Sequence, residues 1–299
     1  MTPLVSIAMI AYNVEPYIGE AIDSVFSQQT TFSWELVIGE DCSTDNTLRI
    51  IKQYRQKHPD KIRILEREKN LGLTPNSIDT QNNCRGKYIA LLDGDDFWTD
   101  SNKLQILVAF LESHPEYSAA AHQSTIIKGT LDNPVRKFGA ESDTDYGIND
   151  TITHRKFHTS SLVYRREFWV KSGGIPSVIS SNERAIYPML AIYGPIKYFG
   201  KDMCVYRLAP TGLNSRITSK ELETDLRMLP WLKSLSSQFP KNKFRSFLHL
   251  CIFSYPRFVP IKQLCKHYVL FLLYSFSYFP KNLGDIKYGT IEFFRKTRG

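Results

Sequence analysis

Long hydrophobic runs are scarce in this chain of 299 residues. The longest charge-free apolar stretch, Tyr268–Phe279, counts twelve residues, short of the roughly 20 that a bilayer-spanning helix needs. Cysteine is sparse as well. The five copies, Cys42, Cys84, Cys204, Cys251 and Cys265, are odd in number, scattered and without zinc-ligand spacing. That argues against a disulfide framework or a structural zinc and for reduced thiols in a cytoplasmic protein. No Gly-x-Gly-x-x-Gly follows a predicted strand, which disfavours a dinucleotide-dependent oxidoreductase. Nor is Ala11-Tyr12-Asn13-Val14-Glu15 a Gly-rich, Lys- or Arg-bearing phosphate loop, which disfavours a nucleotidyltransferase. Met1–Tyr12 has neither a basic n-region nor a small-residue cleavage site, so it reads as a first strand rather than a signal peptide.

Net positive charge is missing from most of the chain. Lys241–Gly299 holds eleven Lys and Arg against Asp285 and Glu292, a net of +9, whereas the whole chain carries +8. Residues 1–240 are therefore close to neutral. A nucleic-acid footprint would line the site itself, so nucleic acid is not an expected partner.

What is present alternates. Leu4–Tyr12, Trp34–Ile38, Lys61–Leu65 and Lys87–Leu92 read as strands, short and largely apolar. Between them lie helical periods: Val14 to Phe26 with Pro16 in its first turn, a second capped by Ser43 or Thr44 and burying Leu48, Ile51 and Tyr54, and a third from Pro75 to Cys84. Strands and helices at this pace predict βαβ units and a mostly parallel sheet covered on both faces. Beyond a helix over Lys103–Leu111, strands are expected at Tyr117–Ile127 and Phe157–Tyr164, a helix at Glu183–Tyr193, and a paired stretch at Ile196–Tyr206. Residues 128–150 read as a mobile, substrate-facing loop.

Three carboxylates sit within Asp93-Gly94-Asp95-Asp96 at the end of a buried strand, and Glu40-Asp41 ends another. Clustered carboxylates repel unless a cation or donor groups sit nearby. Hard oxygen ligands at strand ends suit Mg²⁺ or Mn²⁺ carrying a phosphorylated substrate. In wound sheets ligands bind beyond the carboxyl ends of the strands, so the two clusters are expected to face one crevice.

Four ordered segments then make the chain resemble the inverting family 2 glycosyltransferases of bacterial polysaccharide synthesis. They are Ser6-Ile7-Ala8-Met9-Ile10-Ala11-Tyr12-Asn13, Glu40-Asp41-Cys42-Ser43-Thr44-Asp45-Asn46-Thr47, Asn70-Leu71-Gly72-Leu73, and Lys87-Tyr88-Ile89-Ala90-Leu91-Leu92-Asp93-Gly94-Asp95-Asp96. The resemblance implies an α/β GT-A (Rossmann-like) fold with a C-terminal helical extension. Residues 1–219 would be catalytic, with a nucleotide-binding half to about 115 and an acceptor-binding half from about 116; residues 220–299 would form the tail.

It also implies roles. Tyr12 and Asn13 would border a nucleotide base and Asp41 accept a uracil-type imide N–H. Glu40 stands where Asp is more usual. Asp93 would face the ribose or a metal-bound water, and Asp95 would ligate Mn²⁺ or Mg²⁺ at the diphosphate. For Asp96 two roles stay open, metal contact or a brace for the loop. Inversion needs a general base, and Asn182-Glu183-Arg184 lies where the family places one, with Asp143 and Asp145 as fallbacks; an ordinary first-turn carboxylate is the other reading of Glu183. Val205-Tyr206-Arg207 followed by Gly212 resembles the segment near the diphosphate, where Arg207 would pair with a phosphate or form a surface ion pair. The His that often follows is absent from Leu208-Ala209-Pro210, which leaves a second protein ligand for the ion open. His158 lines the acceptor pocket or is a core histidine.

The implied activity is inverting transfer of a sugar from a nucleotide-diphosphate sugar, UDP-linked by the base contacts, to a saccharide or lipid-linked acceptor. The alternative is a catalytically inactive nucleotide-sugar or carbohydrate-binding protein of the same fold. Lys262, Lys266 and Lys281 flank the apolar stretch of the tail, which reads either as a peripheral attachment to the inner face of the plasma membrane or as a helical annex.

Overall fold

Apolar continuity over Val5–Ala11, Trp34–Glu40 and Tyr88–Asp93 builds the centre of a ten-stranded sheet. The computed structural model describes residues 2–129, 134–208 and 218–297. In chain order the elements are β1 (Val5–Ala11), α1 (Ile18–Phe26), β2 (Trp34–Glu40), α2 (Thr47–Lys57), β3 (Ile62–Glu66), α3 (Leu73–Asn82), β4 (Tyr88–Asp93), β5 (Phe97–Trp98), α4 (Lys103–Ser113), β6 (Ala119–Ile127), β7 (Pro134–Phe138), β8 (Thr144–Tyr146), α5 (Ile148–Thr151), β9 (Val163–Arg165), α6 (Arg166–Ser172), α7 (Asn182–Tyr193), β10 (Ile196–Arg207), α8 (Ser219–Glu223), α9 (Met228–Leu235), α10 (Lys241–Ser254), α11 (Ile261–Ser275) and α12 (Leu283–Thr297). By internal packing the chain divides into two compact units. One comprises Met1–Gly147, Arg155–Ile175 and Tyr193–Pro210; the other comprises Ile148–His154, Pro176–Ile192 and Thr211–Gly299.

The first unit holds the sheet, in the order β3-β2-β1-β4-β9-β6-β10-β5, with β7 on β6 and β8 on β10. β1 pairs in parallel with β2 on one side and β4 on the other. The order therefore reverses beside β1, and the crevice beyond β1 and β4 is a topological switch point, where open α/β sheets bind ligands. Val5, Ile7, Met9, Leu36, Ile38, Ala90 and Leu92 are buried in one core cluster. Each Val, Ile, Leu or Met so buried contributes about 1.5–3 kcal/mol.

Several local expectations are corrected. Residues 128–150 are not one loop: β7 pairs antiparallel with β6 and β8 with β10. The side chains of β7 are mostly exposed, so no apolar alternation marked it. In place of a strand from Phe157, a single 3-10 turn covers Thr159–Ser161 and β9 begins at Val163. Pro16 precedes α1 rather than opening it. Ser43 and Thr44 do not cap α2; Asp45 Oδ1 accepts the Thr47 N–H at 2.9 Å.

In the second unit α10 is buried around most of its circumference, while α11 buries one stripe, Leu264, His267, Phe271 and Ser275. A capping box between Thr218 and Glu221 starts α8. No helix among the described residues is long and apolar enough to cross a membrane.

Candidate active site

Register puts Gly39 of β2 and Asp93 of β4 opposite Ile10 on either side of β1. Strands lie about 4.8 Å apart, so the turns after β2 and β4 flank the end of β1 at the same edge. Each is tied to it by a backbone bond: Asp41 N–H donates to Ala11 O at 3.0 Å and Gly94 N–H to Ile10 O at 2.9 Å. A Cβ at position 94 would sit 2.9 Å from Ile10 O, which is why glycine interrupts the acidic run. The two acidic clusters thus share one edge.

The β2 turn is braced by its own signature residues. Glu40 is buried and accepts the Ser43 and Cys42 N–H groups, at 2.9 and 3.2 Å. Asn13, at φ 52°, accepts the Thr44 N–H at 2.8 Å while its own N–H donates to Ser43 Oγ at 3.0 Å. The carboxylate of Asp41 accepts the N–H groups of Leu71 at 2.8 Å and Gly72 at 3.0 Å. The Asn70-Leu71-Gly72 segment is therefore a clamp on Asp41. Tyr12 stands beside it, 47 % exposed.

Around β4 the chain converges from three directions. Asp96 is buried; its Oδ1 accepts the Arg207 N–H at 2.9 Å, and its Oδ2 accepts Ser160 Oγ–H at 2.6 Å and lies 3.3 Å from His158 Nδ1. Ser160 Oγ also accepts the Asp93 N–H at 3.2 Å. The Ser160 carbonyl in turn accepts Trp98 Nε1–H at 2.9 Å and the buried Lys103 Nζ at 3.1 Å. Burial pushes the Lys103 ammonium down to about 7. His158 is buried, stacks on Tyr206 with centroids 4.0 Å apart, and accepts the Ser160 N–H on Nδ1 at 3.3 Å.

Burial raises the Asp96 carboxyl well above the ordinary range, and the neighbouring Asp95 and Asp93 charges raise it further. Asp95 is raised mainly by burial, opposed by Arg207. Crowded anions of this kind call for a cation. Asp93, Asp96 and His158 each offer one ligand atom, all within 4.8 Å of one another. Two carboxylates and an imidazole are a donor set that a divalent ion can use. Asp95 is not in this trio; its backbone carbonyl accepts Arg207 Nε–H at 3.1 Å.

Arg207 is a buried brace. Besides its bonds to Asp95 and Asp96, Nη2 meets Glu20 Oε2 at 2.6 Å, Nη1 donates to Gly129 O, and the guanidinium lies 4.6 Å from the Tyr17 ring centroid. Gly212 lies outside the described residues. Asp143 and Asp145 are engaged by Lys197 Nζ at 4.0 and 3.5 Å, Asp145 directly across the β8–β10 pair. Glu183 belongs to the second unit, in the first turn of α7, where its Oε2 accepts Ser181 Oγ–H at 3.1 Å. That turn is anchored by Arg184 on the buried Asp225 at 2.8 Å, and Asp225 also accepts the Ser180 N–H at 2.8 Å. Beside Glu183, the buried Asn182 Oδ1 has no hydrogen-bond partner among the described residues.

Two contributions were not anticipated: Ser160 as the hub that joins the acidic turn to the 158–161 turn, and His158 as a neighbour of Asp96. The only signal for them was a polar run, His158-Thr159-Ser160-Ser161, between the apolar Phe157 and Leu162.

The architecture is the GT-A fold. S. aureus TarS, crystallised with UDP-GlcNAc, superposes over 98 % of this chain and 89 % of its own with a TM-score of 0.73 and 17 % identity. The mannosyltransferase PcManGT from Pyrobaculum calidifontis, in complex with GDP-Man and Mn2+, matches 97 % of this chain and 80 % of its own at a TM-score of 0.59 and 18 % identity. Residues 6–172 match glycosyl transferase family 2, and the chain belongs to that family. An uncharacterized protein of Mycobacterium tuberculosis is 35 % identical over 211 residues, 70 % of this chain but only 60 % of that protein. The putative teichuronic acid biosynthesis glycosyltransferase TuaG of Bacillus subtilis is 32 % identical over 217 residues, 71 % of this chain and 82 % of its own. Chondroitin synthase of Escherichia coli is 42 % identical over 230 residues, 75 % of this chain and 31 % of its own.

Proposed function

We propose that the chain transfers a sugar, with inversion, from a UDP-sugar to a saccharide or lipid-linked saccharide acceptor in the assembly of a cell-surface polysaccharide, and that residues 1–219 hold the machinery. The observation that carries this reading is the meeting of the β2 and β4 turns at the end of β1, with Asp93, Asp96 and His158 within 4.8 Å of one another. TarS with UDP-GlcNAc and PcManGT with GDP-Man and Mn2+ support a nucleotide-sugar donor and a divalent ion. TuaG and chondroitin synthase support a polysaccharide product.

In this reading Tyr12 and Asn13 flank the base, and Asp41, which has lone pairs left beyond its two backbone bonds, accepts the imide N–H. Asp95 ligates Mn²⁺ or Mg²⁺ at the diphosphate, with Asp93, Asp96 and His158 as further ligands for a divalent ion. A bound cation there neutralises the charge that grows on the departing nucleoside diphosphate. Arg207 acts on the diphosphate side by fixing the backbone carbonyl of Asp95 and the carboxylate of Asp96. Glu183 takes the proton of the acceptor hydroxyl, and the unpaired Asn182 Oδ1 offers that hydroxyl or its neighbour an acceptor. The tail places the protein at the inner face of the plasma membrane, near a lipid-linked acceptor.

A thermal-shift screen of nucleoside diphosphates and nucleotide sugars, with and without Mn²⁺, tests the donor. A Mn²⁺-dependent rise with one UDP-sugar is expected, followed by transfer to a saccharide primer. Response to no nucleotide sugar sinks the reading, and tight binding without sugar release from any primer replaces it with the inactive binding protein.

A further inference from the structure

In the second unit large apolar side chains face outward. Of seventeen that stand exposed among the described residues, eleven lie between Tyr255 and Phe294. On α11 they share a side. At 100° per residue, the side opposite the buried stripe carries Lys262 and Lys266 over its first half and Val269, Leu273 and Phe276 beyond. Phe276 is 72 % and Phe279 54 % exposed. The turn after α11 adds the exposed Lys281 and Leu283.

The charge on this surface is only partly compensated. Lys266 meets Glu223 at 3.0 Å, whereas Lys262 and Lys281 have no carboxylate partner among the described residues. The two acids of the stretch are engaged elsewhere, Asp285 by His154 at 3.6 Å and Glu292 by Arg295 at 2.7 Å. Against a second copy, such a face would set Lys against Lys. Against anionic lipid the charges are complementary, and the stems of Lys and the rings of Phe suit the headgroup boundary.

We propose that the outer side of α11, continued by the 276–283 turn, is a docking face that lies flat on an anionic bilayer. Val269, Leu273, Phe276 and Phe279 enter the boundary between headgroups and acyl chains, and Lys262 and Lys281 rest on lipid phosphates. α11 runs about 22 Å along the membrane plane rather than through it. This rests on the peripheral attachment read above and names the surface and lipid class that produce it.

Co-sedimentation of the full chain with vesicles of phosphatidylcholine, alone or mixed with phosphatidylglycerol, provides the test. Salt-sensitive binding to the mixed vesicles only is expected. Phe276→Ser with Phe279→Ser lowers the partition at least about tenfold, and each of Lys262→Gln and Lys281→Gln lowers it about fivefold at low salt. All these side chains are exposed, so the melting temperature stays put; the lysine set reads the same face if the phenylalanine pair does not fold. A parent protein that ignores both vesicles overturns attachment and face together. Unchanged binding by both variant sets overturns the face alone. A dimer by light scattering that the phenylalanine substitutions dissociate assigns the face to a second copy and overturns the lipid proposal.

Discussion

The sheet unit and the helical unit place polar and apolar groups in opposite ways. In the sheet, apolar side chains fill the interior and carboxylates collect at one edge, each held by several donors: Asp41 by two backbone N–H groups, Asp96 by Ser160 and the Arg207 N–H. In the helical unit two imidazoles are buried against each other, His249 Nδ1 and His267 Nδ1 at 2.9 Å with Glu223 on His267 Nε2 at 2.7 Å, while phenylalanines face outward. Under the proposals above, the difference tracks what each surface would meet. A small charged ligand needs polar atoms fixed to within fractions of an ångström, whereas an apolar phase needs exposed apolar area with little constraint on geometry.

Perturbations of matching size should therefore have unequal effects. The largest is Asp96→Ala, which removes an anion from the trio and leaves Ser160 and the Arg207 N–H without their acceptor. A loss of about a thousandfold or more in kcat/KM is expected, while Phe276→Ser leaves transfer to a soluble primer unchanged. Similar losses from both would erase the contrast. Glu183→Gln should lower kcat by about 10²–10⁴-fold with the donor KM unchanged; full turnover would remove Glu183 as the base.

Smaller effects refine the picture. Ser160→Ala is expected to weaken Mn²⁺ binding, followed by titration calorimetry, by about 10–100-fold, since it frees both Asp93 and Asp96 from the 158–161 turn. Unaltered affinity would make Ser160 a spectator. Gly94→Ala forces a Cβ against Ile10 O and should cost about 1–3 kcal/mol in urea melts. Gly284→Ala, where a Cβ meets nothing within 4 Å, should gain up to about 1 kcal/mol. Equal outcomes would mean that the end of β1 gives way.

The smallest effect is on pH dependence. Burial, then the neighbouring His267, lowers His249 to about 3. Its folded pKa lies below the unfolded value near 6.5, so between those values the unfolded chain binds the extra proton. Stability from this site is whole above about pH 6.5 and falls as the pH drops below it. His249→Phe should flatten that slope in urea titrations at pH 7 and 5; an unaltered slope would place the titration elsewhere.

Much of the architecture was legible because its signals are local. Apolar runs marked β1, β2 and β4, and carboxylates at their ends marked the site. β7 escaped because an exposed strand lacks alternation, and β5 because two residues carry no period. Asp41 was expected at the base and Glu40 only noted where Asp is more usual; in the structure Asp41 holds the Asn70–Gly72 segment and Glu40 closes its own turn.

Order and spacing in the chain by themselves determined the wound sheet, the family and the edge where charge gathers, since each follows from hydrophobic period and short motifs. Only the tertiary structure decided which side chains complete that edge. β9 inserts antiparallel between β4 and β6 and so delivers His158 and Ser160 beside Asp96, while β10 returns the Arg207 N–H to its carboxylate. No local pattern encodes such meetings, because residues 60 to 110 positions apart become neighbours only when strand pairing removes the chain between them.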